Sequence, residues 1–275
     1  MTIRTETEAP PQLVSITTSL EEALAVLATL EANTVMGLDT APWMSLSATE
    51  RELSLSVARR GLTARGLAQV DDRGQFLVHR ALLTAVGICA YPRRTAFIDH
   101  WPTSDVEPLR VFIHQHGSNA VVHVPAGPLQ HFHLVESEAE LAKFLSATYG
   151  WGQASPAGGG ELRMSRDEFS RAFEASAGGD RAAATRILTA TNPADGVLRF
   201  VDTLSARPGV SIFQTITPSE TPRPEAEETF TVLQSGSTGW LVVPVSPGAS
   251  TPLRASAASP ERLRGRLRDV LWAGS

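Results

Sequence analysis

Residues 110–125 read RVFIHQHGSNAVVHVP, and residues 229–244 read TFTVLQSGSTGWLVVP. The two stretches align without a gap, and a glutamine, a glycine, a serine, a valine and a proline coincide at a constant offset. In each stretch, short runs rich in β-branched residues flank a central Gly-Ser pair, which is the pattern of a β-hairpin. We therefore predict that the second half of the chain repeats the first.

The segments that flank the two hairpins agree as well. Each hairpin follows an apolar helical run and an alternating strand, and each half closes with a helix whose apolar residues lie on one face. These segments are residues 81–90, 95–101 and 136–149 in the first half, and residues 197–204, 210–217 and 260–272 in the second. The period is far longer than that of a solenoid repeat. The sequence thus predicts an α+β fold with a pseudo-twofold internal duplication, each half an antiparallel β-meander with flanking helices.

A stretch rich in glycine and proline separates the two halves. Residues 151–160 read WGQASPAGGG, a composition typical of a flexible connection. We predict an N-terminal α/β subdomain at residues 1–150, a linker at 151–160 and a C-terminal α/β subdomain at 161–275. Residues 218–227 are rich in proline and acidic residues, which predicts an exposed loop between two strands.

Composition limits the class of protein. The chain has 275 residues and a hydrophobic share of 42%, which is typical of a globular protein. Its formal net charge is -5, so it has no general electrostatic attraction for nucleic acid or anionic lipid. The single cysteine, Cys89, excludes an internal disulfide and favours a reducing compartment. The sequence shows neither a signal-peptide pattern nor an apolar run long enough to span a membrane. We predict a cytoplasmic protein without stable membrane insertion.

Five histidines lie in the first meander, namely His114, His116, His123, His131 and His133. Because residues two apart in a strand share a face, the spacing permits the pairs His114/His116 and His131/His133 to converge on a metal ion from one side of the sheet. The same alternation also fits half-buried strands with a polar outer face. A His-rich metal-binding protein or metalloenzyme is therefore one alternative hypothesis.

Sequence patterns for covalent or phosphate chemistry are missing. The chain has no Gly-x-Ser-x-Gly elbow, no Ser-x-x-Lys and no phosphate-binding loop. Cys89 lies in an apolar helix without an adjacent base, which predicts a core position. Asp99 and His100 are neighbours in a strand, so they point to opposite faces and are expected at a solvated strand end. We predict no catalytic residues, no enzymatic activity and no cofactor.

A second alternative hypothesis is a winged-helix DNA-binding regulator. Residues 50–67 followed by 68–76 are similar to a recognition helix and its wing, and Arg59, Arg60 and Arg65 supply local positive charge. The acidic turn at Asp71 and Asp72 opposes this hypothesis, since it lies where a wing approaches phosphate. Binding to nucleic acid is therefore not the favoured prediction.

The same region resembles the EspG family of type VII (ESX) secretion chaperones. The resemblance begins at TEREL (residues 49–53), continues through VARRGLTARGLA (57–68), and includes the acidic turn DDRG (71–74). It extends downstream through a leucine-rich helix that ends at a Pro-Arg bend, a strand and the meander, at residues 82–92, 95–98 and 109–135. With the quasi-twofold build of that family, the resemblance covers most of residues 45–273.

This resemblance implies a function. It implies a non-catalytic cytosolic chaperone or adaptor that binds secretion substrates, which are PE-PPE or WXG-like helical pairs, and keeps them soluble for export. No cofactor is needed for this role, and we predict a monomer or a homodimer. The five histidines depart from the family pattern, and the segment before residue 45 matches only as a strand followed by a helix.

Candidate partner contacts follow from the strand at residues 239–245, which is apolar on both alternating sets. Apolar side chains on both sides indicate that both faces are covered, either by packing within the subdomain or by a partner at Trp240. The candidate partner-binding residues are Trp240, Val242, Phe112, His114 and His116.

Overall fold

The computed structural model describes residues 14–103, 106–151, 160–216, 226–236, 238–246 and 251–272. The first half contains β1 (Val14–Ser19), α1 (Leu20–Thr29), α2 (Ala41–Met44), α3 (Ala48–Ala64), β2 (Ala68–Val70), β3 (Phe76–Val78), α4 (Arg80–Ala90), β4 (Arg94–Trp101), β5 (Leu109–His116), β6 (Asn119–Ala126), β7 (Leu129–Val135) and α5 (Glu138–Tyr149). The second half contains β8 (Leu162–Met164), α6 (Arg166–Ala177), α7 (Arg181–Thr189), α8 (Ala194–Ser205), β9 (Gly209–Ile216), β10 (Ala226–Ser235), β11 (Thr238–Pro244), β12 (Leu253–Ala257), α9 (Pro260–Leu267) and a π-helical turn (Arg268–Trp272). The α+β prediction is confirmed.

Ten of these strands form one antiparallel sheet in the order β1-β7-β6-β5-β4-β9-β10-β11-β12-β8. The pair β4–β9 lies at the centre and joins the two halves, with a register from Thr95↔Ile216 to Trp101↔Val210. On either side of this pair the strands of each half follow in the same order. The origin of this arrangement in a duplication stays a prediction, as do the two subdomain boundaries, since residues 152–159 of the predicted linker lie outside the described residues.

The two hairpins of the repeated stretch have the same construction. The β5–β6 ladder pairs Phe112 with His123, and the β10–β11 ladder pairs Thr231 with Val242 at the corresponding positions. At the end of each hairpin a glutamine side chain donates a hydrogen bond to a glycine carbonyl, from Gln115 to Gly117 and from Gln234 to Gly236. Both glycines have a positive φ, of 61° and 54°, which glycine adopts at little cost.

Local signals place the helix starts. Ser19 and Ser165 each precede a glutamate by three residues, and both form the capping box that this spacing predicts. The predicted exposed loop at 218–227 is wrong at its end, because β10 already begins at Ala226, where it pairs with Ile216; residues 218–225 lie outside the described residues. None of the described helices is long and apolar enough to cross a bilayer.

Among the described residues, buried apolar side chains form three clusters. On one face of the sheet, α5, α9 and the π-helical turn pack over the central strands of both halves. On the other face, α1, α3 and α4 pack over the outer strands β1, β7 and β6, while α6, α7 and α8 pack over β8 and β10–β12. The second face is therefore covered by two separate groups of helices.

The loop between α1 and α2 lies directly on the sheet at Phe112. Gly37 in this loop has a φ of 98°, and a Cβ atom added to it would come within 2.5 Å of the Phe112 ring. A side chain at this position is thus opposed both by backbone conformation and by space.

We expect Gly37→Ala to lower the free energy of unfolding by about 2 kcal/mol or more, because it combines backbone strain with overpacking. Gly127→Ala is the matched control: Gly127 also has a positive φ, of 59°, but an added Cβ meets nothing within 4 Å. The control is expected to cost about 1 kcal/mol. Urea denaturation of the three proteins measures both values, and equal losses would contradict close packing of the loop on Phe112.

Candidate functional site

The centre of the sheet presents different side chains to its two faces. Because side chains alternate along a strand, Ala96 and Ile98 of β4 and Phe213 of β9 point to the cluster under α5 and α9, where they are fully buried. Their neighbours Phe97 and Ile212 point to the opposite face. There they lie between the two groups of helices and are only half-buried.

We call this surface the central face and define it by Phe97, Asp99, Arg110, Ile212, Gln214 and Ile216. The ladder pairs Phe97 with Gln214 and Asp99 with Ile212, so these side chains share one face. The two helix clusters on this side take their sheet residues from the outer strands, with only Val210 of β4 and β9 packed against them. The central face is therefore an apolar strip that the helices on this side leave partly open.

An ion pair lies at the edge of the central face. Arg110 donates two hydrogen bonds to the buried Asp99 carboxylate, from Nε at 2.6 Å and from Nη2 at 2.8 Å. The hydrogen bond to Asp99 raises the pKa of Arg110 above its ordinary value. The guanidinium also lies 5.3 Å from the centre of the Phe97 ring, in the range of a cation–π contact. Arg110 is thus held over the apolar strip with its other side open to solvent.

The prediction of a solvated strand end at Asp99 and His100 is wrong. The two side chains do point to opposite faces, but both residues are buried. On the far side of the sheet, His100 Nδ1 hydrogen-bonds with Ser211 Oγ at 2.8 Å, and its ring lies 4.6 Å from that of Tyr149. Burial lowers the pKa of His100. Asp99 and His100 therefore pack on opposite faces of the sheet, Asp99 with Arg110 and His100 with Ser211 and Tyr149.

The four-histidine metal hypothesis has no basis in the sheet register. β6 lies between β5 and β7, so the strands of the two histidine pairs are not neighbours. His114 lies opposite Val121, whereas His133 lies opposite Val122, and alternation therefore sends the pair His114/His116 and the pair His131/His133 to opposite faces. Within the part of the chain that the structure describes, no three His, Cys, Asp or Glu side chains form a metal-binding group.

His114 and His123 instead form part of a buried aromatic layer. The rings of Phe112, His114, His123 and Phe132 follow one another, with centroids 4.8 to 6.3 Å apart. His114 Nδ1 lies 3.3 Å from Thr95 Oγ1, and His123 Nε2 lies 2.8 Å from Gln130 Oε1. Both imidazoles thus contribute to packing of the first half.

This burial disfavours the charged form of both imidazoles. Desolvation, followed by the charge of His123, lowers the pKa of His114 to about 3, although the Met36 backbone favours the proton. Desolvation also lowers the pKa of His123, and the nearby His131 acts in the same direction. Both rings are accordingly neutral at pH 7.

Burial also corrects the predicted partner contacts. Trp240 is fully buried beneath α8, where its Nε1 donates to Thr203 Oγ1 at 3.1 Å and its ring meets Phe200 edge-on. Val242, Phe112 and His114 are buried as well, so a partner cannot contact these side chains in this conformation. Packing within the fold accounts for Trp240. His116 is exposed, and its Nδ1 hydrogen-bonds with the Tyr91 carbonyl at 2.8 Å.

The segment that suggested a winged helix does contain a helix followed by a hairpin, formed by α3, β2 and β3. Its arginines are largely engaged within the protein. Arg65 forms an ion pair with Glu22 at 2.7 Å, and the Arg59 guanidinium lies 5.7 Å from the Phe76 ring centre. Of the three arginines that supplied the predicted positive charge, only Arg60 makes no such contact with a described residue.

The predicted core position of Cys89 is confirmed. The thiol lies in the cluster beneath α1 and α4, and desolvation raises its pKa well above the ordinary value. A thiol in this state is a poor nucleophile.

Acid is expected to destabilise the fold through His114. Because its pKa is lowered in the folded state, the unfolded chain binds the proton first as the pH falls below about 6.5. Stability is then lost by roughly 1.4 kcal/mol per pH unit for this group, down to the folded-state pKa. His114→Leu, which places the residue found at the repeat position Leu233, should make the loss shallower by up to that amount.

Urea unfolding of both proteins between pH 7.5 and pH 4.5 measures this slope. His79→Leu is the control, since His79 is exposed at the start of α4. If His114→Leu and His79→Leu change the slope equally, the buried imidazole does not cause the acid sensitivity.

No protein-family model matches the chain, and no curated protein matches it. Among solved structures, the chain is similar to the Mycobacterium tuberculosis type VII secretion system chaperone EspG5, solved in complex with a PE25-PPE41 dimer. The TM-score is 0.64 at 13% sequence identity, over 94% of this chain and 97% of that chain. The predicted resemblance is confirmed at the level of structure: the chain has an EspG-like fold.

Proposed function

We propose that this protein is a non-catalytic chaperone of type VII secretion, which binds a helical secretion-substrate pair in the cytoplasm and keeps it soluble for export. The likeness to EspG5 along almost the whole chain supports this proposal, since that protein was solved with a PE25-PPE41 dimer bound. A PE-PPE or WXG-like pair is thus the client class. We infer no cofactor and no membrane insertion.

The single observation that carries the proposal is the central face. It offers Phe97, Ile212 and Ile216 as half-buried apolar side chains on the strands that join the two halves. An apolar tip of a helical client loses contact with water when it covers such a strip. The surrounding polar groups, among them Gln214 and Arg110, provide hydrogen-bonding partners at the rim.

The rigidity of this surface also suits a binding role. Phe97 packs on Phe112 at a ring distance of 6.4 Å, and Arg110 is fixed by two hydrogen bonds to Asp99. Side chains that are already ordered lose little conformational entropy when a partner binds. The metal hypothesis, by contrast, fails on the opposite orientation of its two histidine pairs, and a net charge of -5 opposes binding to DNA.

The test is co-expression of the tagged protein with helical secretion-substrate pairs from its own genome, followed by size-exclusion chromatography and mass spectrometry. We expect one pair to co-purify in a stoichiometric complex. The double variant Ile212→Gln/Ile216→Gln should weaken that complex at least about tenfold, because it replaces the apolar strip with groups that must be desolvated.

Leu198→Gln is the matched control, since Leu198 is an exposed leucine on α8, 48% accessible, outside the central face. It should leave the dissociation constant unchanged, as measured by isothermal titration calorimetry. A complex that forms equally well with the double variant places the client elsewhere on the surface. A protein that captures no pair at all overturns the chaperone proposal itself.

A further inference from the structure

The outer edge of β1 carries backbone groups that point away from the sheet. In the sheet described here, β1 is the terminal strand and pairs with β7 alone. The Leu20 N–H donates to the Pro128 carbonyl at 3.0 Å, which shows that Leu20 and every second residue before it direct their backbone groups toward β7. Ser15 and Thr17 therefore direct their backbone N–H and C=O groups outward, as Ser19 does with its N–H, whereas the carbonyl of Ser19 begins the hydrogen bonding of α1 as its N-cap residue. Two contacts agree: Thr17 O accepts from Arg65 at 2.6 Å, and Ser19 N–H donates to Glu22 at 3.0 Å.

Helix α3 runs beside this edge and leaves a groove of about 610 Å³ between them. Leu53 and Val57 of α3 line one side and are 62% and 52% exposed, while Leu129 at the start of β7 is 43% exposed. The Thr18 hydroxyl lines the groove too; it is buried, and none of the described residues offers it a hydrogen-bond partner. The groove thus combines a partly open strand edge with an apolar wall and a hydroxyl that has no hydrogen-bond partner among the described residues.

The charge of the groove is acidic on balance. Arg65 pairs with Glu22 at 2.7 Å, so these two charges offset each other. Glu21 remains, and within the described part of the chain its carboxylate accepts a hydrogen bond only from the neutral Ser19 hydroxyl, at 2.8 Å. A basic side chain is the complement that this end of the groove favours.

The opposite end of the sheet is closed by a different device. There the Asn192 side chain accepts a hydrogen bond from the Arg163 N–H at 2.7 Å and donates one to the Arg163 carbonyl at 2.8 Å. A single amide group thus takes the place of the next strand beside β8. At β1, Arg65 satisfies the Thr17 carbonyl and Glu22 satisfies the Ser19 N–H, but none of the described side chains bonds to the Thr17 N–H or to the backbone groups of Ser15. Edge strands that are left open in this way pair with other chains.

We propose that the groove between β1 and α3 binds an extended peptide segment of a partner protein by strand addition. The peptide forms backbone hydrogen bonds with both outward groups of Ser15 and with the Thr17 N–H, because the Thr17 carbonyl already accepts a hydrogen bond from Arg65. Its alternate side chains are apolar and contact Leu53 and Val57. A basic side chain lies next to Glu21. In this binding mode backbone bonds provide affinity and the alternate side chains provide specificity. The site is separate from the central face and does not depend on the proposed chaperone function.

A second copy of the chain fits this groove less well. Its own β1 has α3 alongside its outer edge, so pairing of two such edges brings two α3 helices over the same seam. A free extended segment has no such obstacle and is narrow enough to lie between one helix and one strand.

The probe is a synthetic library of N-acetylated octapeptides in which alternate positions carry Val, Ile or Leu, the others carry Thr or Ser, and one terminal position varies among Lys, Arg, Gln and Glu. Peptides retained by the immobilised full-length protein are identified by mass spectrometry, resynthesised and titrated by fluorescence anisotropy. We expect peptides with terminal Lys or Arg to bind best. The variant Glu21→Gln should reduce at least threefold the ratio of their affinity to the affinity of peptides with terminal Gln.

Two variants test the geometry. Ser15→Pro removes an outward N–H that the β1–β7 ladder does not use, so the fold should survive while peptide affinity falls at least tenfold. Leu53→Glu should have a similar effect, whereas its control Leu77→Glu, at an exposed leucine of β3 outside the groove, should have none. Thermal melting of each variant verifies that it is folded.

Amide hydrogen exchange of the full chain, followed by NMR, separates the possible occupants. Fast exchange at Ser15 and Thr17 in the free protein, slowed by the bound peptide, is the expected result. Slow exchange that depends on protein concentration assigns the edge to a second copy, and slow exchange independent of concentration assigns it to another segment of the same chain. Either result overturns the proposal, as does a library from which the wild-type protein retains no more peptide than Leu53→Glu does.

Discussion

The antiparallel pairing of β4 with β9 is the constraint on which the rest of the structure depends. It joins residues that are more than a hundred positions apart in the chain, from Thr95 opposite Ile216 to Trp101 opposite Val210. Without this ladder, each half would end in an open strand edge with half of a cluster exposed. With it, Ala96, Ile98 and Phe213 pack together beneath helices from both halves. The continuous sheet and its largest shared core therefore form together.

The same pairing makes the two faces of the sheet unequal. On one face the closing helices α5 and α9 contact each other and cover the centre. On the other face the helices at the start of each half lie over the outer strands, because each group packs on the edge strand that its own half supplies. A gap over the central strands follows from this arrangement. The most suitable surface for an apolar client is thus a consequence of how two similar halves are joined.

Features that depend on near neighbours in the sequence are the ones that could be predicted from it. The hairpins, the capping boxes at Ser19 and Ser165 and the helical segments all rest on spacings of two to four residues. Alternation also shows which side chains of one strand share a face. It does not show which face of the sheet that is, because the register between neighbouring strands depends on the geometry of each hairpin turn. For this reason the sequence permitted a metal site shared by His114 and His133, and it offered Trp240 as a partner contact.

The central face could not be predicted from the sequence for the same reason. Phe97 and Ile212 look like ordinary core residues in alternating strands, and only the β4–β9 pairing, together with the position of the helices, leaves them partly open. No local pattern marks a residue as central in a sheet of ten strands. The role of the Asn192 side chain at the β8 edge could not be predicted either, because Asn192 bonds to Arg163 from a loop 29 positions away in the chain.

The two halves share their strand order yet differ in what covers each strand, and this difference separates structural from functional residues. At equivalent positions the first half has His114 and the second has Leu233, and both are fully buried. The imidazole forms a hydrogen bond with Thr95 that leucine cannot form, and its lowered pKa is expected to make the fold more sensitive to acid. The two edges of the sheet also differ. Asn192 satisfies both outward groups of Arg163 at the β8 edge. At the β1 edge, Arg65 satisfies one outward group of Thr17, and the exposed side chains of Leu53 and Val57 lie beside it. Packing within one half accommodates a buried difference of this kind, whereas an exposed difference leaves backbone and apolar groups in contact with water, where another chain segment can bind. By that criterion, the first half carries the additional interaction surface.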